Sequence, residues 1–238
     1  MNFKIEKYKK DGEYSFAFGA FPCFELVKQK PNQVVCLIIS SKLKQTDDIR
    51  ELISRCKDKN ITVEENDKLI QKISDKENCF VVGVFKKYSC TKQAGNNLVL
   101  VNPSDMGNMG TIMRTALGFD IKNLAIIKPA VDVFNPKVVR ASMGAIFSLN
   151  IVEYDSVQDY LTSSNNKKFF FMLDGENELG SFVPPKQFDL VFGNEATGLP
   201  DYLLHQDTSV VIRHSKNIDS LNLPISVGMA IYEFCKNR

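Results

Sequence analysis

"LVLVNPSDMGNMGTIMRTALGFDIKNLAII", residues 98–127, decides the fold. It opens on the apolar run Leu98 to Val101, breaks into turn residues, reads as a helix from Thr111 to Phe119 and closes on a second apolar run, Leu124 to Ile127. Short apolar runs bounded by polar turns read as buried strands. Two such strands joined through a helix form a parallel crossover, because a tight turn cannot join parallel neighbours.

The same alternation continues outward. Pro136 to Leu149 reads as a helix, Phe169 to Leu173, Leu190 to Phe192 and Val210 to Ile212 as strands, and Ile225 to Phe234 as a last helix. The pattern predicts an α/β fold with a largely parallel sheet, helices on both faces and a ligand site beyond the carboxyl ends of the strands. Upstream, Val34 to Ile39 and Cys79 to Phe85 read as strands and Asp47 to Lys57 as a helix, so the front is a small α/β unit. The polar stretch KKYSCTKQAGNN, residues 86–97, has no apolar period and reads as a linker. Two domains are expected, 1–95 and 96–238.

Composition narrows the class. The 238 residues are 44% hydrophobic and 24% charged, which is ordinary globular usage. The longest apolar runs fall short of a membrane span and the opening MNFKIEKYKK lacks the apolar core of a signal peptide, so a cytoplasmic protein without a membrane partner is expected. Six scattered cysteines with no CxxC pair and only two histidines point to free thiols and to no metal site. Residues 1–95 carry 18 Lys/Arg against 13 Asp/Glu, whereas the remainder carries 12 against 15. A basic front suits an anionic partner such as RNA, although Lys-rich composition alone also produces it.

Three polar breaks interrupt the alternation. In the first, Asn108 reads as a helix cap between Gly107 and Gly110, and Gly107, Gly110, Arg114 and Gly118 fall along one stripe, bare except for a guanidinium. An anion or polar nucleotide suits that stripe, with a surface salt bridge as the plainer reading of Arg114. The spacing GNMG is not the GxGxxG of a dinucleotide site. In the second, DLVFGNEATGLP at 189–200, a buried strand ends in Asn194 and Glu195 between two glycines, Gly193 and Gly198. This predicts a tight loop at a strand end, carrying either a functional carboxylate or a plain helix cap. In the third, Ser220 and Asn222 precede Pro224 and a helix that is apolar nearly all round, which predicts burial on more than one side, as at a subunit interface.

Taken together, NPSDMGNMGTIMRTA, VVRASMGA (138–145), LVFGNEATGLP and IDSLNLPISVGMAIYE resemble, in order and spacing, the SpoU/TrmH branch of the SPOUT methyltransferases. The resemblance covers residues 96–238. The front is similar, more weakly, to the L30e-like substrate-binding domain that precedes this catalytic domain in enzymes acting on ribosomal RNA. The resemblance implies a parallel sheet tied into a trefoil knot, a homodimer through the knotted domain and the last helix, and transfer of a methyl group from S-adenosylmethionine to a ribose 2'-hydroxyl of RNA, ribosomal RNA above all. It implies catalytic roles for Asn108, Arg114, Glu195, Ser220 and Asn222. It implies cofactor contacts from Phe192, Gly193 and Asn194, from Ile212, and from Ser220, Leu221 and Asn222.

Guanidinium stays protonated, so Arg114 is expected to stabilise the developing alkoxide or fix a phosphate, with Asn108 and Glu195 orienting it or the ribose. Glu195 is expected beside asparagine and arginine groups that hold it by charge-assisted hydrogen bonds. Two places depart from the family pattern. Ile212 is followed by Arg213 and His214 where an Ile-Pro pair is usual, and Gly19-Ala20-Phe21 lacks the basic residue often found there. A transfer RNA substrate and a catalytically silent RNA-binding protein are the alternatives.

Overall fold

The computed structural model describes residues 5–74 and 78–237. Contacts group the chain into two compact units, residues 1–88 with 132–148, and residues 89–131 with 149–238.

The first unit runs β1 (Tyr14–Phe18), α1 (Ala20–Gln29), β2 (Val34–Ile39), α2 (Asp47–Asp58), β3 (Thr62–Glu65), α3 (Asp67–Ile73) and β4 (Val81–Lys86). Its sheet has the order β1-β4-β2-β3, with β4 antiparallel to both neighbours and β2 parallel to β3. Helix α2 begins where the Thr46 side chain accepts from the Ile49 amide, and it buries Ile49, Leu52 and Cys56. Helix α1 lies directly on β4, because a Cβ on Gly83 would stand 2.8 Å from Leu26 Cδ2.

The chain then forms β5 (Asn97–Val101), α4 (Met106–Gly118) and β6 (Asn123–Ile127) before α5 (Pro136–Ala141) returns to the first unit. This differs from the single cut near residue 95, since the segment holding VVRASMGA packs with the front. Its anchors are long-range. Phe134 and Phe147 meet the Phe85 ring edge-on, at 6.1 and 5.2 Å between centroids. Ser15 donates to the Phe134 carbonyl and Tyr8 to the Asp132 carboxylate. The helix expected from Pro136 to Leu149 stops at Ala141, because Met143 and Gly144 turn the chain through positive φ of 50° and 81°.

The second unit continues with β7 (Asn150–Tyr154), α6 (Val157–Ser163), β8 (Lys167–Phe171), β9 (Asn177–Glu178), β10 (Phe188–Phe192), β11 (Thr208–Val211) and α7 (Leu223–Cys235). All seven strands are parallel, in the order β7-β6-β5-β10-β8-β11-β9. Strands β5, β6 and β10 are buried at every residue, which is why four residues running in β5 and β6 and three in β10 are apolar, with Asn97, Asn123 and Asp189 the polar exceptions. At the amino ends, buried Asp189 accepts from Asn97 at 2.6 Å and Asn166 at 2.8 Å. Helices α4 and α7 pack against each other. The carboxyl ends of β5, β8, β10 and β11 carry the loops that matter next.

Candidate active site

Those loops surround a cavity of about 430 Å³, formed by residues 171–174, 192–199, 210–212 and parts of 220–226. Its floor is aromatic, with the Phe171 and Phe192 rings stacked 4.3 Å apart and 8° from parallel. Two backbone approaches shape the walls. A Cβ on Gly193 would stand 2.0 Å from the Gly198 carbonyl carbon, and one on Gly175 would stand 2.4 Å from that of Val210. Only glycine permits either crossing.

The loop after β10 is built by Asn194. Its amide nitrogen donates to the Gly198 carbonyl at 3.2 Å, and Gly198, at φ +68°, donates back at 3.0 Å. Its side-chain oxygen accepts from the Ala196 and Thr197 amides at 2.8 and 3.3 Å, an Asx turn. Its side-chain NH₂ donates to the Asn102 carbonyl at 2.7 Å, fastening the loop to the end of β5.

Glu195, half-buried on the cavity wall, therefore points at the start of α4. Its Oε2 accepts from the Ser104 amide at 3.1 Å and the Ser104 hydroxyl at 2.9 Å. Its Oε1 accepts from the Asp105 amide and the Asn108 side chain, each at 3.3 Å. Burial pushes the carboxyl pKa up, but the backbone and side-chain hydrogen bonds outweigh it and hold the group below the usual carboxylate range. Neutral donors hold Glu195, and no arginine is among them. Ser104 was not singled out by the sequence.

The helix beside it starts earlier than expected. Asp105 is the cap, accepting from the Asn108 amide at 2.7 Å, so Gly107, Asn108 and Gly110 lie inside α4 and Asn108 is left to hold Glu195. The glycine stripe is not bare, since Gly110 is buried. Arg114 is exposed on α4, outside the cavity wall, and among the described residues its guanidinium makes no hydrogen bond or ion pair, so the salt-bridge reading finds no partner.

Of the other expected residues, Phe192, Gly193, Asn194, Ile212, Ser220 and Leu221 line the cavity. Asn222 does not. It caps α7 through its carbonyl, which accepts from the Ile225 and Ser226 amides, while its side chain makes no capping bond. Arg213 faces the Glu178 carboxylate at 3.7 Å, and His214 lines the cavity with Nδ1 2.9 Å from the Ile212 carbonyl oxygen. Gly175 was missed as well; its signal is a glycine just past a buried strand, in LDGE.

Residues 95–232 match the model of the SpoU rRNA Methylase family. A Listeria monocytogenes protein named "Putative tRNA (cytidine(34)-2'-O)-methyltransferase" is 30% identical over 150 residues, 60% of this chain and 88% of that protein. The 23S rRNA (uridine(2479)-2'-O)-methyltransferase of Streptomyces viridochromogenes is 31% identical over 147 residues, 57% of this chain and 50% of that protein. Among solved structures, the SpoU methyltransferase AviRb of S. viridochromogenes, in complex with the cofactor AdoMet, superposes with a TM-score of 0.80 at 22% identity, covering 95% of this chain and 91% of AviRb. The sheet, the loop-built cavity and a family match over more than half the chain agree: this chain belongs to the SpoU rRNA methylase family.

Proposed function

We propose that this chain transfers the methyl group of S-adenosylmethionine to a ribose 2'-hydroxyl in RNA. The observation that carries the reading is Glu195, brought to the wall of a loop-built cavity and fixed there by the first turn of α4, in a chain of this family. The cavity fits the methyl donor by size and chemistry. About 430 Å³ is ordinary for a small-molecule site. An aromatic floor suits an adenine, and Asp174, Glu195 and Asp201 on the wall suit a ligand with a sulfonium and an ammonium. When bound, S-adenosylmethionine supplies the electrophilic methyl.

The chain's own groups do the rest. The attacking ribose oxygen bonds to the methyl as the neutral thioether leaves, and its proton passes to solvent water. A carboxyl held below its usual pKa is a poor proton acceptor at neutral pH, so Glu195 orients the ribose and Asn108 holds Glu195. Ser220 on the cavity wall, and the Asn222 side chain two residues on, which makes no capping bond, position the sugar or the donor. Arg114 stabilises the developing alkoxide or an adjacent phosphate.

The working form is a homodimer. Ile225, Met229 and Tyr232 are 57%, 42% and 58% exposed along α7, while the opposite face of that helix is buried. Tyr232 meets exposed Phe119 of α4 edge-on at 6.4 Å, which widens the stripe. A second copy covers it and brings the second Arg114 to a cavity that one chain leaves without a cation of that role. The trefoil knot belongs to the same reading, supported by the close approach of Gly175 to the backbone of Val210, 35 positions on. So do an RNA-binding role for the L30e-like first unit and a cytoplasmic location. No helix of the described residues is long and apolar enough to cross a membrane.

Ribosomal RNA is the substrate we favour. The aligned part is most of the Listeria relative but half of the 23S enzyme, so the latter, like this chain, carries a large further segment. Calorimetric titration with S-adenosylmethionine, followed by methyl transfer to purified ribosomal and transfer RNA pools, tests the reading. Binding with transfer to ribosomal RNA is expected. Transfer to transfer RNA alone overturns the choice of substrate, and no binding with or without RNA favours a silent RNA-binding protein.

A further inference from the structure

The first unit carries a surface feature that the cavity does not use. Phe21 is 55% exposed, Phe80 37% and Met143 40%. They converge on one end of the four-stranded sheet. The Gly19 amide donates to the Val81 carbonyl and the Ser40 amide to the Phe80 carbonyl, each at 2.9 Å, so Phe80 sits between the ends of β1 and β2. Phe21 follows Gly19 by two residues, in the first turn of α1. A Cβ on Gly144 would lie 3.4 Å from Pro22 Cα, which brings Met143 to that same turn.

Cations frame this apolar surface. Arg140, exposed on α5, adjoins Met143, whose amide donates to the Arg140 carbonyl at 3.0 Å, and among the described residues its guanidinium has no hydrogen bond or ion pair. Lys42 is exposed two residues beyond Ser40. Two carboxylates among the described residues are engaged: Asp67 accepts from Ser40 and Ser41, with Lys42 beside it, and Glu25 faces Lys28 at 3.8 Å. Exposed rings beside a guanidinium without a partner among the described residues suit a ligand with flat faces and a negative backbone. A duplex hides its base faces, so the ligand is single-stranded.

We propose that Phe21 and Phe80 are stacking platforms for unpaired RNA bases, with Arg140 on the adjoining phosphate. The inference rests on RNA being the substrate and adds where the first unit grips it. Resolved into two features, it also predicts no base-specific readout, since stacking accepts any base.

The test uses the full chain and its Phe21→Ala/Phe80→Ala and Arg140→Gln variants, each checked by circular dichroism melting. Fluorescence anisotropy is read against a labelled mixed-sequence single-stranded 12-mer RNA and against its duplex. The double variant is expected to lose about tenfold or more in affinity for the single strand and at most about twofold for the duplex. Arg140→Gln is expected to lower the slope of log affinity against log salt by about 0.7. Unchanged affinity of the double variant, equal losses on strand and duplex, or a fall in molar mass by light scattering overturns the proposal, the last because it makes the patch a protein contact. Methyl transfer to ribosomal RNA by the unmodified chain is measured alongside. Transfer with no stacking loss overturns this inference alone, and stacking loss without transfer overturns the reading of the cavity alone.

Discussion

Ser104→Ala removes one hydroxyl from the group that holds Glu195. The bond is 2.9 Å long to an ionised carboxylate, and hydrogen bonds to charged groups contribute about 1.5–3 kcal/mol. Ser104 is exposed and Glu195 only half-buried, so water replaces part of the loss. A net cost of about 1 kcal/mol is the reasonable figure. In a chain of this length that lowers the melting temperature by about 2–4 °C.

The pH dependence gives the sign. Glu195 is held below the usual carboxylate range in the fold, so the unfolded chain takes up its proton first as pH falls. The bonds therefore contribute fully above the unfolded carboxylate value of about 4.3 and lose their contribution as pH drops through the folded value. Melting of both proteins from pH 7 down to the lowest pH at which both still fold is the assay. The deficit is expected at neutral pH and shrinks as Glu195 is protonated. Equal melting temperatures at pH 7, or a deficit independent of pH, would refute the assignment of Ser104 as the residue that positions Glu195.

Three further outcomes follow from the same geometry. Gly193→Ala forces a Cβ to within 2.0 Å of backbone, so the loop after β10 must open; a stability loss of about 1–3 kcal/mol in urea titration and at least a tenfold weaker S-adenosylmethionine affinity by calorimetry are expected. Arg114→Ala, exposed and unbonded, is expected to keep its melting temperature and its cofactor affinity while turnover falls about a hundredfold, and retained turnover removes that side chain from the chemistry. Met229→Glu puts a charge in the exposed α7 stripe; light scattering is expected to show a dimer becoming a monomer with its circular dichroism intact, and an unchanged mass places the subunit contact elsewhere.

What could be read in advance followed from burial. Strands β5, β6 and β10 are sealed on both faces, so the apolar runs Leu98–Val101, Leu124–Ile127 and Leu190–Phe192 within them stand out. Strand β7 has only one residue of five fully buried and β9 has two residues, so neither leaves a pattern. The start of α4 was misplaced for a local reason. Glycine costs about 1 kcal/mol in a helix interior, so Gly107 and Gly110 argued for a turn, whereas the Asp105 cap and the packing on α7 carry the helix through them.

The site was half legible. Polar residues at strand ends announced Asn194, Glu195 and Ser220 one at a time. Of the partners of Glu195, Asn108 was expected, but Ser104 could not be announced, because it lies 91 positions away and a serine in a turn is unremarkable by type. Beside the asparagine an arginine was also expected, since charge pairing is the simplest guess for a sequestered carboxylate, whereas two backbone amides and a hydroxyl complete the set. The return of residues 132–148 to the first unit was hidden for the same reason: its anchors to Tyr8 and Ser15 span 124 and 119 positions.

The most direct measurement is chemical. RNA from cells lacking this protein is incubated with the purified chain and methyl-tritiated S-adenosylmethionine, then hydrolysed in alkali, which cuts after every ribose with a free 2'-hydroxyl. Label in alkali-resistant dinucleotides is the expected result, and its absence from the Glu195→Gln protein ties it to the cavity. Label released in mononucleotides, as methylation of a base would give, or no incorporation into any RNA, contradicts the account.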